Sequence, residues 1–170
     1  MTGVFAIDAA RPADIPAIMA IERRPGYDRL VGRWEEAQHH AEMAKPSVRY
    51  FALREADALA GFAIVQGIGE ANCRAHLKRI AVAEPGRGDG ARLLRGLIDT
   101  LYAETDTNRL DLDVFVGNER AKRAYEKAGF TAEGVLREHH RDADGGYRDV
   151  WLMSILRREW LAAHGGPSVF

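Results

Sequence analysis

The segment Ile80-Ala81-Val82-Ala83-Glu84-Pro85-Gly86-Arg87-Gly88-Asp89-Gly90-Ala91 sets three alternate glycines between an apolar run and an amphipathic one. Glycine admits positive φ and lets the backbone lie close against a ligand. A helix opening behind such a loop exposes unpaired N–H groups and the positive end of its dipole. Strand, loop and helix together make an anion cradle, and a pyrophosphate is its natural occupant. The same residues satisfy the dinucleotide pattern G-x-G-x-x-[GA], with Asp111 about twenty residues on, but early in its strand and not at the carboxyl end where a ribose-binding acid belongs. Against that reading, the loop falls mid-chain after three strand-like segments, and too little chain follows to complete two mononucleotide-binding halves. A P-loop is excluded, because no Gly-Lys-Ser/Thr follows the glycines. The remaining reading is a tight strand-to-helix turn that binds nothing.

A second stretch runs Asn118-Glu119-Arg120-Ala121-Lys122-Arg123-Ala124-Tyr125-Glu126-Lys127-Ala128-Gly129-Phe130. Each residue has a local explanation: Asn118 as N-cap, Ala121, Ala124, Tyr125 and Ala128 as a packed stripe, and Gly129 as the left-handed end of a helix over which Phe130 folds back. Together they spell N-x-x-A-x-x-x-Y-x-x-x-G-F, one unit after the glycine loop. On these residues the chain resembles the GNAT superfamily of acyl-CoA N-acyltransferases, over nearly its whole length. The stretches Glu133–Arg137 and Trp151–Ser154 are similar to bacterial enzymes near the ribosomal-protein and phosphinothricin acetyltransferases. The family loop reads [QR]-x-x-G-x-[GA], and here the chain departs from it. Counting back from Leu93-Leu94 matches Gly88 and Gly90 to the small positions but puts Pro85 where Gln or Arg is expected.

The resemblance implies an N-acetyltransferase that takes acetyl-CoA as donor and a primary amine as acceptor, without a metal. It makes Tyr125 the general acid toward the CoA sulfur and Asn118 a ligand of the pantetheine arm. It pairs the backbone of Ile80, Ala81 and Val82 with the pantetheine amides. It assigns the loop from Gly86 through Arg87, Gly88, Asp89 and Gly90 to Ala91 to the pyrophosphate. His76 lies six residues before Val82, where the histone acetyltransferase branch carries its catalytic Glu. An ordinary imidazole pKa near 6.5 suits a base at neutral pH. A merely exposed or hydrogen-bonded strand histidine, or a water relayed by Asp113 or Glu22, are the alternatives. Tyr27, Arg33 and Trp34 are candidates for the acceptor pocket or for helix packing. The pairs His39-His40 and His139-His140 read as solvated surface, since adjacent residues face apart. The competing functions are a non-catalytic acyl-CoA-binding module and a nucleotide-dependent oxidoreductase.

Positioning these residues requires elements in the order β-α-α-β-β-β-α-β-α-β-β. Strands are expected at Val4–Ile7, Val48–Leu53, Leu59–Gln66, His76–Val82, Arg109–Val116, Phe130–Arg141 and Tyr147–Leu156. Helices are expected from Ile15, over Asp28–Ala44, behind the glycine loop on Leu94, Leu97, Ile98 and Leu101, and over Asn118–Ala128. In the fifth strand Leu110, Leu112, Val114 and Val116 alternate with Asp111 and Asp113, which predicts one apolar and one polar face. The economical packing is α/β, the GNAT fold: a central mixed, mostly antiparallel sheet with helices on both faces. Residues 1–160 form one domain and 161–170 a frayed tail. A formal net charge of -1 argues against a nucleic-acid partner. No apolar run reaches the ~18 residues of a membrane span. A lone Cys73 and an opening without a signal-like pattern point to the cytoplasm. A homodimer is compatible with all of this.

Overall fold

In the computed structural model, which describes residues 4–165, the chain runs β1 (Phe5–Ala9), α1 (Ile15–Glu22), α2 (Glu36–Met43), β2 (Val48–Glu55), β3 (Ala58–Gln66) and β4 (Arg74–Val82). It continues through α3 (Asp89–Glu104), β5 (Arg109–Phe115), α4 (Glu119–Lys127), β6 (Thr131–Arg141), β7 (Tyr147–Leu156) and α5 (Arg157–Ala163). The strands form one seven-stranded sheet in the order β1-β2-β3-β4-β5-β7-β6. Every neighbouring pair is antiparallel except β4 and β5. α3 buries Leu93, Leu94, Leu97, Ile98 and Leu101 against one face. On the other face Ile18 and Ile21 of α1 pack with Tyr50, Phe62, Ile64 and Ala81.

Two elements differ from expectation. The second helix begins at Glu36, not Asp28. The intervening loop has no apolar stripe to bury and is held from outside: Trp34 stacks 4.3 Å from the Arg79 guanidinium and donates its N–H to Glu22 at 3.4 Å. Residues 161–163, assigned to the tail, complete α5. Trp160 anchors that helix, stacking on Tyr102 and donating its indole N–H to Asp99. Residues 166–170 of the expected tail lie outside the described residues.

The feature that shapes the site is the parting of β4 from β5. The two strands pair only over Arg74↔Arg109, Ala75↔Leu110 and His76↔Asp111. β4 then follows β3 to Val82, while β5 follows β7 to Phe115. A bulge sharpens the divergence. Opposite Val65 and Ile64 stand Leu77 and Arg79, so Lys78 is the extra residue. The bulge exchanges the faces of β4: Ala75 and Leu77 lie in the α3 core, whereas Ala81 lies in the core beneath α1.

At the apex of the splay sits Asp111, which is fully buried. The alternation of β5 had assigned it to a polar face. Instead that face is covered, and Asp111 accepts from Arg74, from Arg109 Nε at 3.1 Å and from His76 Nδ1 at 2.8 Å. Arg109 grips Glu133 of β6 with two bonds of 2.7 Å, and Ser154 of β7 donates to the same carboxylate at 2.6 Å. Burial alone would raise the Asp111 carboxyl, but the bonds from His76, Arg74 and Arg109 override it and hold the group well below the usual carboxylate range. Arg109, aided by Ser154, holds Glu133 down to about 2.

Depressed folded-state values mean that these carboxylates stabilise the fold above their ordinary pKa, and that the contribution is lost as pH falls toward the folded values. The wild-type melting temperature is therefore expected to drop between about pH 5 and pH 2 as this network protonates. Asp111→Asn is expected to cost about 3 kcal/mol at neutral pH, the low end for breaking a buried pair, because Arg74 and Arg109 can turn to water. The variant's stability should also depend less on pH across that window. Melting by circular dichroism from pH 7 to pH 3 checks both.

Candidate active site

The glycine loop meets α3 through Gly88, the N-cap, at φ 86°, with Gly86 at φ 95°. Both are left-handed conformations that a side chain would strain. Among the described residues, the consecutive N–H groups from Gly86 to Ala91 have no backbone acceptor; the first intrahelical bond runs from Arg92 to Gly88. That row of free donors at the head of a sixteen-residue helix has the form an anion cradle requires. A β-carbon on Gly90 would lie 3.9 Å from Val82, and one on Gly86 or Gly88 would meet nothing within 4 Å, so the space above the loop is open.

The side chains of the loop are otherwise occupied. Arg87 makes two bonds of 2.8 Å to Glu55 and one of 3.2 Å to Glu84. Asp89 is buried, its carboxylate neutralised by Arg92 at 2.8 Å. What these two offer an anion is their backbone.

The splay continues the cradle. Ala83 donates its N–H to Ala60 of β3 at 2.8 Å. By strand alternation the polar groups of Ala81 also turn toward β3, and those of Ile80 and Val82 turn into the gap left by β5. Tyr27 enters that gap, its hydroxyl donating to the Val82 carbonyl at 2.9 Å. It therefore sits at the end of β4 and does not line the acceptor-side cavity, which Arg33 and Trp34 do.

α4 closes the gap from the α3 side. The Asn118 side-chain oxygen caps the helix, accepting from Ala121 N–H at 3.2 Å, and the amide nitrogen has no partner among the described residues. Gly129 ends the helix at φ 102°, and Phe130 is buried against it, 5.8 Å edge-on from the Tyr125 ring. Tyr125 is half-buried on the α3-side core, and its phenol has no hydrogen-bond partner among the described residues. Burial pushes the phenol up to about 12, so it keeps its proton at neutral pH.

On the opposite face of the sheet lies a cavity of about 820 Å³. Its walls are the 28–34 loop, β4 from His76 to Arg79, the end of β5 and the β6–β7 hairpin. Arg29 and Arg148 tie the loop to the hairpin through Asp142 and the Arg29 carbonyl. His76 projects into this cavity. Because ionised Asp111 can only accept, His76 Nδ1 carries the proton of the neutral ring, and Nε2 keeps its lone pair. Asp113 stands 4.0 Å from that Nε2 and 3.3 Å from His139 Nε2.

Two sequence readings are corrected here. His39 is not solvated surface. It is fully buried between Tyr50 at 3.1 Å and Glu22 at 3.2 Å, and Glu22 also takes Arg79, so Glu22 is a structural carboxylate. His139 and His140 are exposed as read, but they do not face apart; both line the cavity. The dinucleotide alternative fails as well. Asp111 is sealed under two arginines, and a sheet with a single parallel pair is not a doubly wound one.

The Acetyltransferase (GNAT) family model matches residues 15–130. The chain belongs to the GNAT acetyltransferase family. N-alpha-acetyltransferase RimI of Mycobacterium tuberculosis is 29% identical over 137 residues, covering 79% of this chain and 79% of that protein. The solved ribosomal-protein-S18-alanine N-acetyltransferase from Escherichia coli superposes with a TM-score of 0.75 at 28% identity, over 90% of this chain and 94% of that one. Spermidine N-acetyltransferase from Vibrio cholerae, solved with CoA and spermine, gives 0.81 over 92% and 98% at 23% identity, a likeness of fold. This GNAT protein is an acetyl-CoA-dependent N-acetyltransferase. Its free loop N–H groups, open glycines and the β4 edge that no strand pairs beyond His76 fit such a donor.

Within this GNAT site, sequence reasoning missed two groups. Asp111 orients the imidazole, and His139 reaches Asp113. The Asp-x-Asp spacing in an otherwise apolar strand was the available signal for the first. For Gly90→Val, acetyl-CoA affinity is expected to fall at least about tenfold, because a β-branched side chain would stand over the donor row. The apo protein should stay folded, since a β-carbon at this position meets only an ordinary contact with Val82. Isothermal titration and a melt of the unliganded variant test the two halves.

Proposed function

We propose that the enzyme acetylates a primary amine entering from the cavity face, with His76 as general base and Tyr125 as general acid. The observation that carries this reading is the disposition of the two groups. An imidazole held at Nδ1 by Asp111, with Nε2 turned to the cavity, and a phenol with no hydrogen-bond partner among the described residues lie on opposite faces of the sheet. Attack and departure need such opposed proton partners.

A lysine-like ammonium has a pKa near 10.4, so freeing its lone pair at pH 7 costs roughly 4–5 kcal/mol. Asp113 is a cavity carboxylate beside His76 that neither arginine nor lysine takes among the described residues, and it attracts the ammonium. His76 Nε2 then receives the proton, and Asp111 stabilises the resulting imidazolium. Bound acetyl-CoA supplies the thioester and a leaving thiol with pKa around 8.5. Tyr125 gives this leaving group its proton and regains one from the second proton that the amine nitrogen sheds as the amide forms. The N–H groups of Gly86 to Ala91 hold the pyrophosphate, and the amide nitrogen of Asn118 and the backbone of Ile80 and Val82 orient the pantetheine arm. A cavity of this size admits either a polyamine or the end of a peptide. Those are the acceptor kinds named for the spermidine and ribosomal-protein relatives. The cytoplasm, where acetyl-CoA and reduced thiols meet, is the compartment that suits this chemistry.

An acceptor panel of polyamines and peptide N-termini, followed by CoA release, tests the reading. With the acceptor found, Tyr125→Phe is expected to lower kcat by ~10–10³-fold, less than a typical general acid because a thiolate leaves readily. Acetyl-CoA affinity and melting temperature should stay near wild type, since the phenol has no hydrogen bond among the described residues to lose. A kcat within about twofold of wild type would mean the thiol takes its proton elsewhere.

A further inference from the structure

Acetyl transfer from a thioester to an ammonium breaks one C–S bond, forms one C–N bond and sets one proton free per turnover. With the acceptor seated in the cavity, the base needs a route by which that proton reaches solvent. The β6–β7 hairpin supplies one. Its register jumps from Leu136↔Val150 to His140↔Arg148, so three residues of β6 stand opposite Asp149 alone. Glu138, in the middle, adopts a left-handed φ of 52° that a glutamate reaches only under constraint, and Asp149 accepts its N–H at 2.7 Å. This bulge breaks the alternation that would send His139 and His140 to opposite faces. His140 goes edge-on to Phe115 at 5.0 Å, and His139 Nε2 comes 3.3 Å from Asp113 Oδ2.

The groups then form a row from the covered interior outward. Buried Asp111 holds His76 Nδ1 at 2.8 Å, and His76 Nε2 lies 4.0 Å from Asp113 Oδ2. That same oxygen meets His139, whose side chain is 48% exposed. We propose that Asp113 and His139 are the proton exit of the acceptor site. The proton taken from the amine by His76 Nε2 passes to Asp113 Oδ2 when a small rotation of that carboxylate closes the gap. It then passes to His139 Nε2, and His139 releases its other ring proton, from Nδ1, to a base in solution. His76 is left neutral for the next turnover, and no redox partner is needed. Glu138 and Asp149 act as positioning residues for this relay.

The inference rests on the acetyl-transfer reading with His76 as base, and the test separates the two. kcat is measured at saturating acetyl-CoA and acceptor, in dilute buffer and with added imidazole, for wild type, His139→Ala and His76→Ala. His139→Ala is expected to lose about tenfold in kcat in dilute buffer, to regain it with imidazole, and to keep wild-type acetyl-CoA affinity by titration. Wild type should be indifferent to imidazole. A His139→Ala kcat within about twofold of wild type in dilute buffer, or a loss that imidazole does not restore, overturns the relay. If His76→Ala is crippled while His139→Ala is not, the relay is wrong and the base assignment survives. If His76→Ala keeps full kcat while His139→Ala is rescued by imidazole, the base is Asp113 and the relay stands.

Discussion

The structure turns on a buried negative charge at the place where two strands part. β4 and β5 run parallel for three residue pairs and then diverge, and every such divergence exposes backbone that would otherwise be paired. Asp111 makes the junction tolerable. Its carboxylate draws Arg74 and His76 of β4 and Arg109 of β5 onto one point, and Arg109 extends the grip to Glu133 of β6. Without that anchor the gap would have no fixed apex, and neither cradle nor cavity would keep its place. The same carboxylate sets the tautomer of His76. One buried group thus serves the fold and the chemistry, which is why its desolvation cost is tolerated.

In the proposed mechanism the two halves of the reaction separate by face from that apex. The α3 side offers the donor free N–H groups at a helix head, the Asn118 amide and the half-buried phenol of Tyr125. The α1 side offers the acceptor an open cavity with His76, Asp113 and His139, walled by a loop that Arg79 and Glu22 pin through Trp34. The Lys78 bulge lets one strand serve both, because it exchanges which face of β4 is inward part-way along. An amine and a thioester can then meet in the splay without either side chain set crossing the sheet.

Local signals in the sequence predicted what local physics decides. The glycine loop, the N-cap at Asn118, the Gly129–Phe130 ending and the stripe of α3 all stand where their residue types demand. What escaped was non-local. The 28–35 segment looked helical by continuity, but its conformation is imposed by Arg79, over forty residues away in the chain. Asp111 was placed on a polar face without its burial being foreseen, because alternation tells which residues share a face and not whether that face is covered. His39 was judged from its neighbour His40, although its burial depends on Glu22 and Tyr50. His139 was discounted by a rule for regular strands, which a bulge pinned by Asp149 sets aside.

The central claim is that the divergence of β4 from β5 makes a binding edge, occupied by acetyl-CoA in place of the missing strand. Amide hydrogen exchange followed residue by residue, with and without acetyl-CoA, tests it directly. Protection is expected at Ile80 and Val82 and across Gly86 to Ala91. Ala81 and Ala83 should change little, because their N–H groups already point to β3. The claim would be contradicted by ligand-induced protection confined to other segments, or spread evenly over β4 without this alternation.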